Sequence, residues 1–376
     1  SVHTAPMSAL ARDYSAAARI LILTATYGDG AAPQSARHFL SRLPRLRSRA
    51  PVAVLGFGDQ SFSHYCRFAR EVAAALSTRG QPELLPLALI DRQSSRDIAS
   101  WIGRLSHVLG TPLSIATDTA LPRTTRLKLV ERTLYGEDVQ APTAILRFAL
   151  DDPATGRRRR LGLVRAAAAL PDFSPGDLVG ILAPGSGAPR FYSLGSATAD
   201  GMLEICVRKQ PGGVCSSFLH GLAPGHTIEA FVKPNPAFRP AKGNRPLLLI
   251  GAGAGIAPLV GFARANHRPR PIHLYWGGRD PASDFLYEGD LGFYLSDRRL
   301  TRLRPVFSRV RNGGYVQDRL AAEANVIRDL VRSGAQIMVC GSRQMAAAVA
   351  ATVDRVVAPI GTDLATLKAR GRYVED

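Results

Sequence analysis

Arg190-Phe191-Tyr192-Ser193 and Gly212-Gly213-Val214-Cys215-Ser216-Ser217 gather the residue types that grip a phosphorylated ligand with a flat ring. An arginine meets a diphosphate as a charge-assisted fork. The tyrosine offers a ring face to a planar heterocycle, and the serine hydroxyl can reach a ring nitrogen. In the second cluster, paired glycines let backbone N–H groups close on phosphate oxygens. Taken singly, either cluster also fits a polar β-hairpin with an ordinary Gly-Gly turn. Further along, Gly251-Ala252-Gly253-Ala254-Gly255-Ile256-Ala257-Pro258 follows an apolar run and opens a helical pattern, which is the way a diphosphate is seated at a helix N-terminus. A lone glycine motif is weak by itself. Arg279, Ser308, Arg309, Tyr315 and Gln317 supply two guanidiniums, two hydroxyls and an amide, groups suited to an extra phosphate on a nucleotide. Near the start, the stretches at residues 24–33 and 56–66 can set backbone amides and the rings of Tyr27 and Phe62 against a flat ligand. Each of these, alone, is also a plain βα turn.

The elements that must hold these groups follow from the apolar patterning. Residues 18–24 and 52–55 are short continuous apolar runs, read as buried parallel strands; a helix follows the second through about Thr78. Residues 84–89 and a helix around Trp101 complete that part. A linker is expected over residues 110–125. From residue 127 to 182 the pattern alternates, as in Ala144-Ile145-Leu146-Arg147-Phe148-Ala149-Leu150, with a turn at residues 151–155, which predicts an antiparallel barrel. After Pro240 apolar strands alternate with helices, the mark of a parallel α/β domain, with a helix expected from Leu259.

In this order the clusters resemble the diflavin reductases, the group of the sulfite reductase flavoprotein and NADPH-cytochrome P450 reductase. The clusters at 190–193 and 213–217 are similar to the R-x-Y-S and G-V-C/A-S/T signatures with which ferredoxin-NADP reductase-type domains cradle FAD. The resemblance implies that Arg190, Tyr192, Ser193, Cys206, Gly213, Val214, Cys215 and Ser216 hold FAD. Gly253, Gly255, Pro258, Arg279, Ser308, Arg309, Tyr315, Gln317 and Gly341 would hold NADPH. Ser193, Cys340 and Asp376 would flank the meeting point of nicotinamide and flavin. Thr26, Tyr27, Gly28, Gly58 and Phe62 would belong to an FMN site, with Tyr27 and Phe62 sandwiching the ring. The pattern is departed from at Ala254, where the family has a threonine, and at Gly313 and Gly314, where it has a lysine. A helical insert before the R-x-Y-S motif is missing.

The fold class this implies is α/β plus β-barrel. A partial flavodoxin-like domain spans residues 1–110, a linker 111–125, an antiparallel FAD-binding barrel 126–240 and a parallel NADP-binding α/β domain 241–376. Because no strand, Ser/Thr-Gly turn and helix for the FMN phosphate precede residue 18, the expectation is that the chain as written is a fragment, is completed by another chain or holds FMN weakly, leaving an open edge in its first sheet. Electrons would run from NADPH to FAD to FMN to a protein acceptor. Reduction of a heme protein, of sulfite with a partner subunit, and of another metal centre all stay open. A single-flavin reductase whose first domain only docks a partner is the alternative, and a flavin-free interaction protein the remote one.

Composition narrows the field. The formal charge of +18 invites a nucleic-acid reading, but only five of the 48 basic residues are lysines and arginine is scattered through the chain. A solvated basic surface is the better account, and the runs at residues 42–49 and 157–160 read as loop and turn. Four cysteines without CxxC and eight histidines without metal-ligand spacing argue against a disulfide framework or a metal site and fit a reducing, cytoplasmic compartment. No signal peptide opens the sequence, and membrane attachment is expected only through a further upstream segment. The apolar run at residues 246–263 approaches membrane-spanning length but carries four glycines and two prolines, so it reads as strand, turn and helix.

Overall fold

The computed structural model describes the chain except residues 1, 10–13, 27–29, 31, 34–35, 37, 59, 61–63, 92–93, 114–122, 152–169, 185, 187–188 and 269. It divides into two compact units, residues 1–120 and 121–376. The expected turn at 151–155, the basic run at 157–160 and most of the linker lie largely or wholly outside the described residues.

In the first unit, β1 (Ile20–Ala25), α1 (Phe39–Arg42), β2 (Val52–Gly58), α2 (Arg67–Thr78), β3 (Glu83–Asp91) and α3 (Ser95–Leu109) follow in sequence. The strands form a parallel sheet in the order β1-β2-β3. Continuous apolar runs make such strands because both faces are covered. One face packs Ile22, Val52 and Val54 against Phe68, Ala69, Val72 and Leu76 of α2, whose spacing lines one helix side. The other packs Ala53, Leu55 and Ile90 against Trp101 and Leu105 of α3. The Ser94 hydroxyl accepts from the Asp97 N–H at 3.3 Å and caps α3. The strands run slightly past their expected ends because their last residues still pair in register, up to Ala25 against Phe57.

In the second unit, β4 (Thr125–Tyr135), β5 (Thr143–Leu150), β6 (Leu178–Ile181), β7 (Arg190–Ser193), β8 (Leu203–Arg208), α4 (Val214–His220) and β9 (Thr227–Lys233) come first. The strands make an antiparallel sheet in the order β7-β6-β9-β4-β5-β8. Its two ends are linked at a single bridge, Leu194 to Ile205, and not by a full ladder. The 212–217 cluster, expected as a turn, instead begins α4 at Val214.

The parallel part follows as β10 (Leu247–Ala252), α5 (Ile256–Arg264), β11 (Ile272–Gly278), α6 (Pro281–Asp284), α7 (Glu288–Ser296), β12 (Arg302–Phe307), α8 (Val316–Ala322), α9 (Ala324–Arg332), β13 (Gln336–Cys340), α10 (Arg343–Val357), α11 (Leu364–Ala369) and β14 (Tyr373–Glu375). Its strand order is β12-β11-β10-β13-β14. Helix α5 starts at Ile256, before the expected Leu259, because Pro258 falls in the first turn, where no N–H is needed. Ile145 and Cys206 of the antiparallel sheet share one core with Leu249, Ile256, Val260 and Trp276. The boundary expected near residue 240 is therefore a joint inside one unit.

Candidate functional site

The register of the parallel sheet decides where the reactive groups meet. Cys340 ends β13, and β14 pairs beside it, Val339 against Glu375, so the next residue, Asp376, lands alongside. Its N–H donates to the Val339 carbonyl at 3.0 Å. Ser193, at the end of β7, donates its hydroxyl to Asp376 Oδ2 at 2.5 Å, and the Cys340 Sγ lies 3.7 Å from the same oxygen. Ser193, Cys340 and Asp376 are thus brought together from positions far apart in the chain. Burial, reinforced by the neighbouring carboxylate, pushes the Cys340 thiol well above its ordinary range, so it stays an S–H donor at neutral pH.

Sequence reasoning missed the group that completes this cluster. Asn235 Nδ2 donates to Asp376 Oδ1 at 3.0 Å. The Asn235 backbone N–H donates to Asp177 Oδ1 at 2.7 Å, the Ser174 N–H to Asp177 Oδ2 at 2.9 Å, and the Arg239 guanidinium pairs with the same carboxylate. Burial alone would raise the Asp177 pKa, but these donors hold it below the usual carboxylate range. The signal was slight: an asparagine between prolines, Lys233-Pro234-Asn235-Pro236, reads as a loop.

The FAD candidates sit around β7 and the start of α4. The half-buried Tyr192 hydrogen-bonds the Cys215 side chain; burial, then that contact, raises the phenol pKa. Arg190 lies close enough to lower both groups. Ser216 Oγ accepts from the Gln210 N–H at 3.1 Å and donates to the Gly213 carbonyl at 3.2 Å, while Val214 stays exposed. Cys206 lies elsewhere, in the core shared with the parallel sheet, where it adds to the upward shift of Cys340.

The glycine turn after β10 packs tightly on the end of β13. A Cβ on Gly255 would stand 2.4 Å from the Cys340 carbonyl oxygen, so no side chain fits there. Gly253 adopts φ +53°, a left-handed conformation that glycine takes without strain. Its carbonyl accepts from the indole N–H of the fully buried Trp276 at 3.1 Å, and Trp276 stacks on Phe285 with ring centroids 5.7 Å apart. Pro258 lies in the first turn of α5, and Gly341, just beyond β13, packs against Gly255.

Arg279 and Arg309, expected to face a phosphate, converge on one backbone oxygen. They donate to the Val139 carbonyl at 2.6 and 2.7 Å, and Arg279 also donates to the Gln140 carbonyl at 3.1 Å. This turn between β4 and β5 lies within the antiparallel sheet. Asp284 steadies Arg279 by accepting its backbone N–H at 2.8 Å. Ser308 Oγ is 3.4 Å from the Gly278 carbonyl, Tyr315 is exposed just before α8, and Gln317 is half-buried in it. In the first unit, Thr26 follows β1 and Gly58 ends β2, each one residue past the last pair, Ala25 with Phe57, and Thr26 Oγ1 accepts from the Phe68 N–H at 3.3 Å. Tyr27, Gly28 and Phe62 lie outside the described residues.

Among the described residues there is no cluster of metal-ligating side chains and no helix long and apolar enough to cross a membrane. An antiparallel sheet and a parallel α/β sheet thus meet at a Ser-Cys-Asp cluster beside a glycine turn. Residues 2–101 match the Flavodoxin family model, and residues 249–351 match that of the oxidoreductase NAD-binding domain. The pair of matched modules resembles the arrangement of the diflavin reductases. It is 28% identical to the sulfite reductase (NADPH) flavoprotein alpha-component of Thiocapsa roseopersicina over 95% of this chain and 79% of that relative. It is also 33% identical to NADPH oxidoreductase A of Dictyostelium discoideum and to nitric oxide synthase 3 of Sus scrofa. Those matches cover 45% and 50% of this chain and 29% and 18% of the relatives.

Proposed function

We propose that the chain takes electrons from NADPH into FAD and passes them through FMN to a heme or other metal-centre protein. The observation that carries this is the meeting of Ser193, Cys340 and Asp376 beside the Gly253–Gly255 turn. FAD, when bound, supplies two-electron acceptance from a nicotinamide, and FMN supplies single-electron delivery. Arg190 would hold the FAD diphosphate with the N–H groups opening α4, and Tyr192 would pack against the ring system. Ser193 and the Cys340 thiol offer hydroxyl and S–H donors where the two ring systems meet. The residues fit the groups: nothing stands within 4 Å of where a Cβ on Gly253 would be, which leaves that part of the turn open to a phosphate, and Tyr192 is already fixed by Cys215. Closure of the antiparallel sheet into a barrel through the Leu194–Ile205 bridge belongs to the same reading. So does a cytoplasmic, reducing setting for the four free cysteines. HPLC of flavins released from the purified chain tests it, with one FAD per chain expected. Protein that takes up neither FAD nor FMN on reconstitution overturns it.

Coenzyme preference provides a second test. Arg309→Ala is expected to raise the KM for NADPH by about tenfold or more, from loss of one charge-assisted bond worth roughly 1.5–3 kcal/mol, while NADH is little affected. Equal damage to both coenzymes would mean that Arg309 serves only to hold the Val139 carbonyl.

A further inference from the structure

We propose that Asn235 is a positioning residue for hydride transfer: it fixes the Asp376 carboxylate so that Oδ2 faces Ser193 and Cys340. This rests on the NADPH–FAD reading above and adds a residue to it. A carboxylate accepts only, so the group 3.0 Å from Oδ1 must be the amide nitrogen of Asn235. With Oδ1 occupied, Oδ2 is left to the Ser193 hydroxyl at 2.5 Å and the Cys340 thiol at 3.7 Å. Without that donor, the carboxylate can turn about its Cβ–Cγ bond and either oxygen can draw the serine hydroxyl away from the reacting rings. Asn235 is itself held from behind: its backbone N–H is fixed by buried Asp177, which Arg239 anchors. The register does the rest, because Leu178 pairs with both Ser193 and Lys233 and so brings the strand ends bearing Ser193 and Asn235 to one place.

The test uses the full flavin-loaded chain. Asn235→Asp keeps the volume and the backbone bond to Asp177 but sets one carboxylate against another. Stopped-flow reduction of the bound FAD by NADPH is expected to slow about tenfold, with flavin content and NADPH affinity unchanged. In an Asp376→Asn background the same substitution is expected to have little further effect, the non-additivity of groups that act together. Asn235→Ala should show the smaller loss expected from a missing donor alone. Wild-type rates in both variants, additive losses in the cycle, or slowing that tracks lost flavin or lost NADPH affinity would overturn the proposal. Failure of NADPH to reduce the wild-type chain would instead overturn the function on which it rests.

Discussion

Glu204→Ala is expected to lower the stability of residues 121–376 by about 3–5 kcal/mol, the range for removing one partner from a buried ion pair. Glu204 is fully buried in β8, a strand covered on both faces. Its carboxylate lies 2.6 Å from Arg147 Nε and accepts from Arg264 at 2.9 and 3.2 Å. Burial works against the charge on each arginine, but contact with Glu204 more than offsets it and raises both pKa values. Alanine would leave the two guanidiniums facing one another across a void. Partial relief would come from Glu131 beside Arg147 and from the Gly195 carbonyl and Tyr294 hydroxyl beside Arg264. Glu204→Gln, which keeps an acceptor and most of the volume, should lose less. Urea unfolding followed by circular dichroism decides it, and a loss below about 1 kcal/mol for alanine would show that the pair adds little.

Arg190→Ala should weaken FAD binding by about ten- to a hundredfold, the loss of one charge-assisted bond of roughly 1.5–3 kcal/mol. Its charge is already felt by Tyr192 and Cys215, which puts it beside the opening turn of α4. Tyr192→Ala should also release FAD, because it removes the ring and its partnership with Cys215 together. Tyr192→Phe keeps the ring and should stay yellow. Gel-filtered protein is scored by flavin absorbance, with circular dichroism to show that the fold survives. A fully loaded Arg190→Ala variant would remove this arginine from the site.

Motifs with a fixed local shape were legible in the sequence. The glycine turn after β10 and the apolar runs of the parallel strands carry their structure in neighbouring residues, so their positions held to within a few residues. The Ser193, Cys340 and Asp376 grouping was reached through resemblance, since no local pattern links three strand ends. What stayed hidden depends on partners from elsewhere. Glu204 carries no local signal of a buried charge; its partner Arg264 comes from α5, 60 residues on. Asn235 reads as loop punctuation until β14 brings Asp376 to its amide. Arg279 and Arg309 were recognised by type, but their acceptor is a main-chain carbonyl, which residue identity does not encode.

The strand order β12-β11-β10-β13-β14 has a practical consequence for redesign. Arg279, Ser308 and Arg309 follow β11 and β12, with Tyr315 and Gln317 at the start of α8, whereas Cys340 and Asp376 hang from β13 and β14. Strand β10 separates the two groups, and its glycine turn touches the thiol side through Gly255. On the reading proposed above, coenzyme preference and turnover are therefore adjustable by different dials. A library restricted to residues 308–317 is expected to yield NADH-using variants without disturbing the thiol and carboxylate, while one that includes Gly255 is expected to change both properties at once.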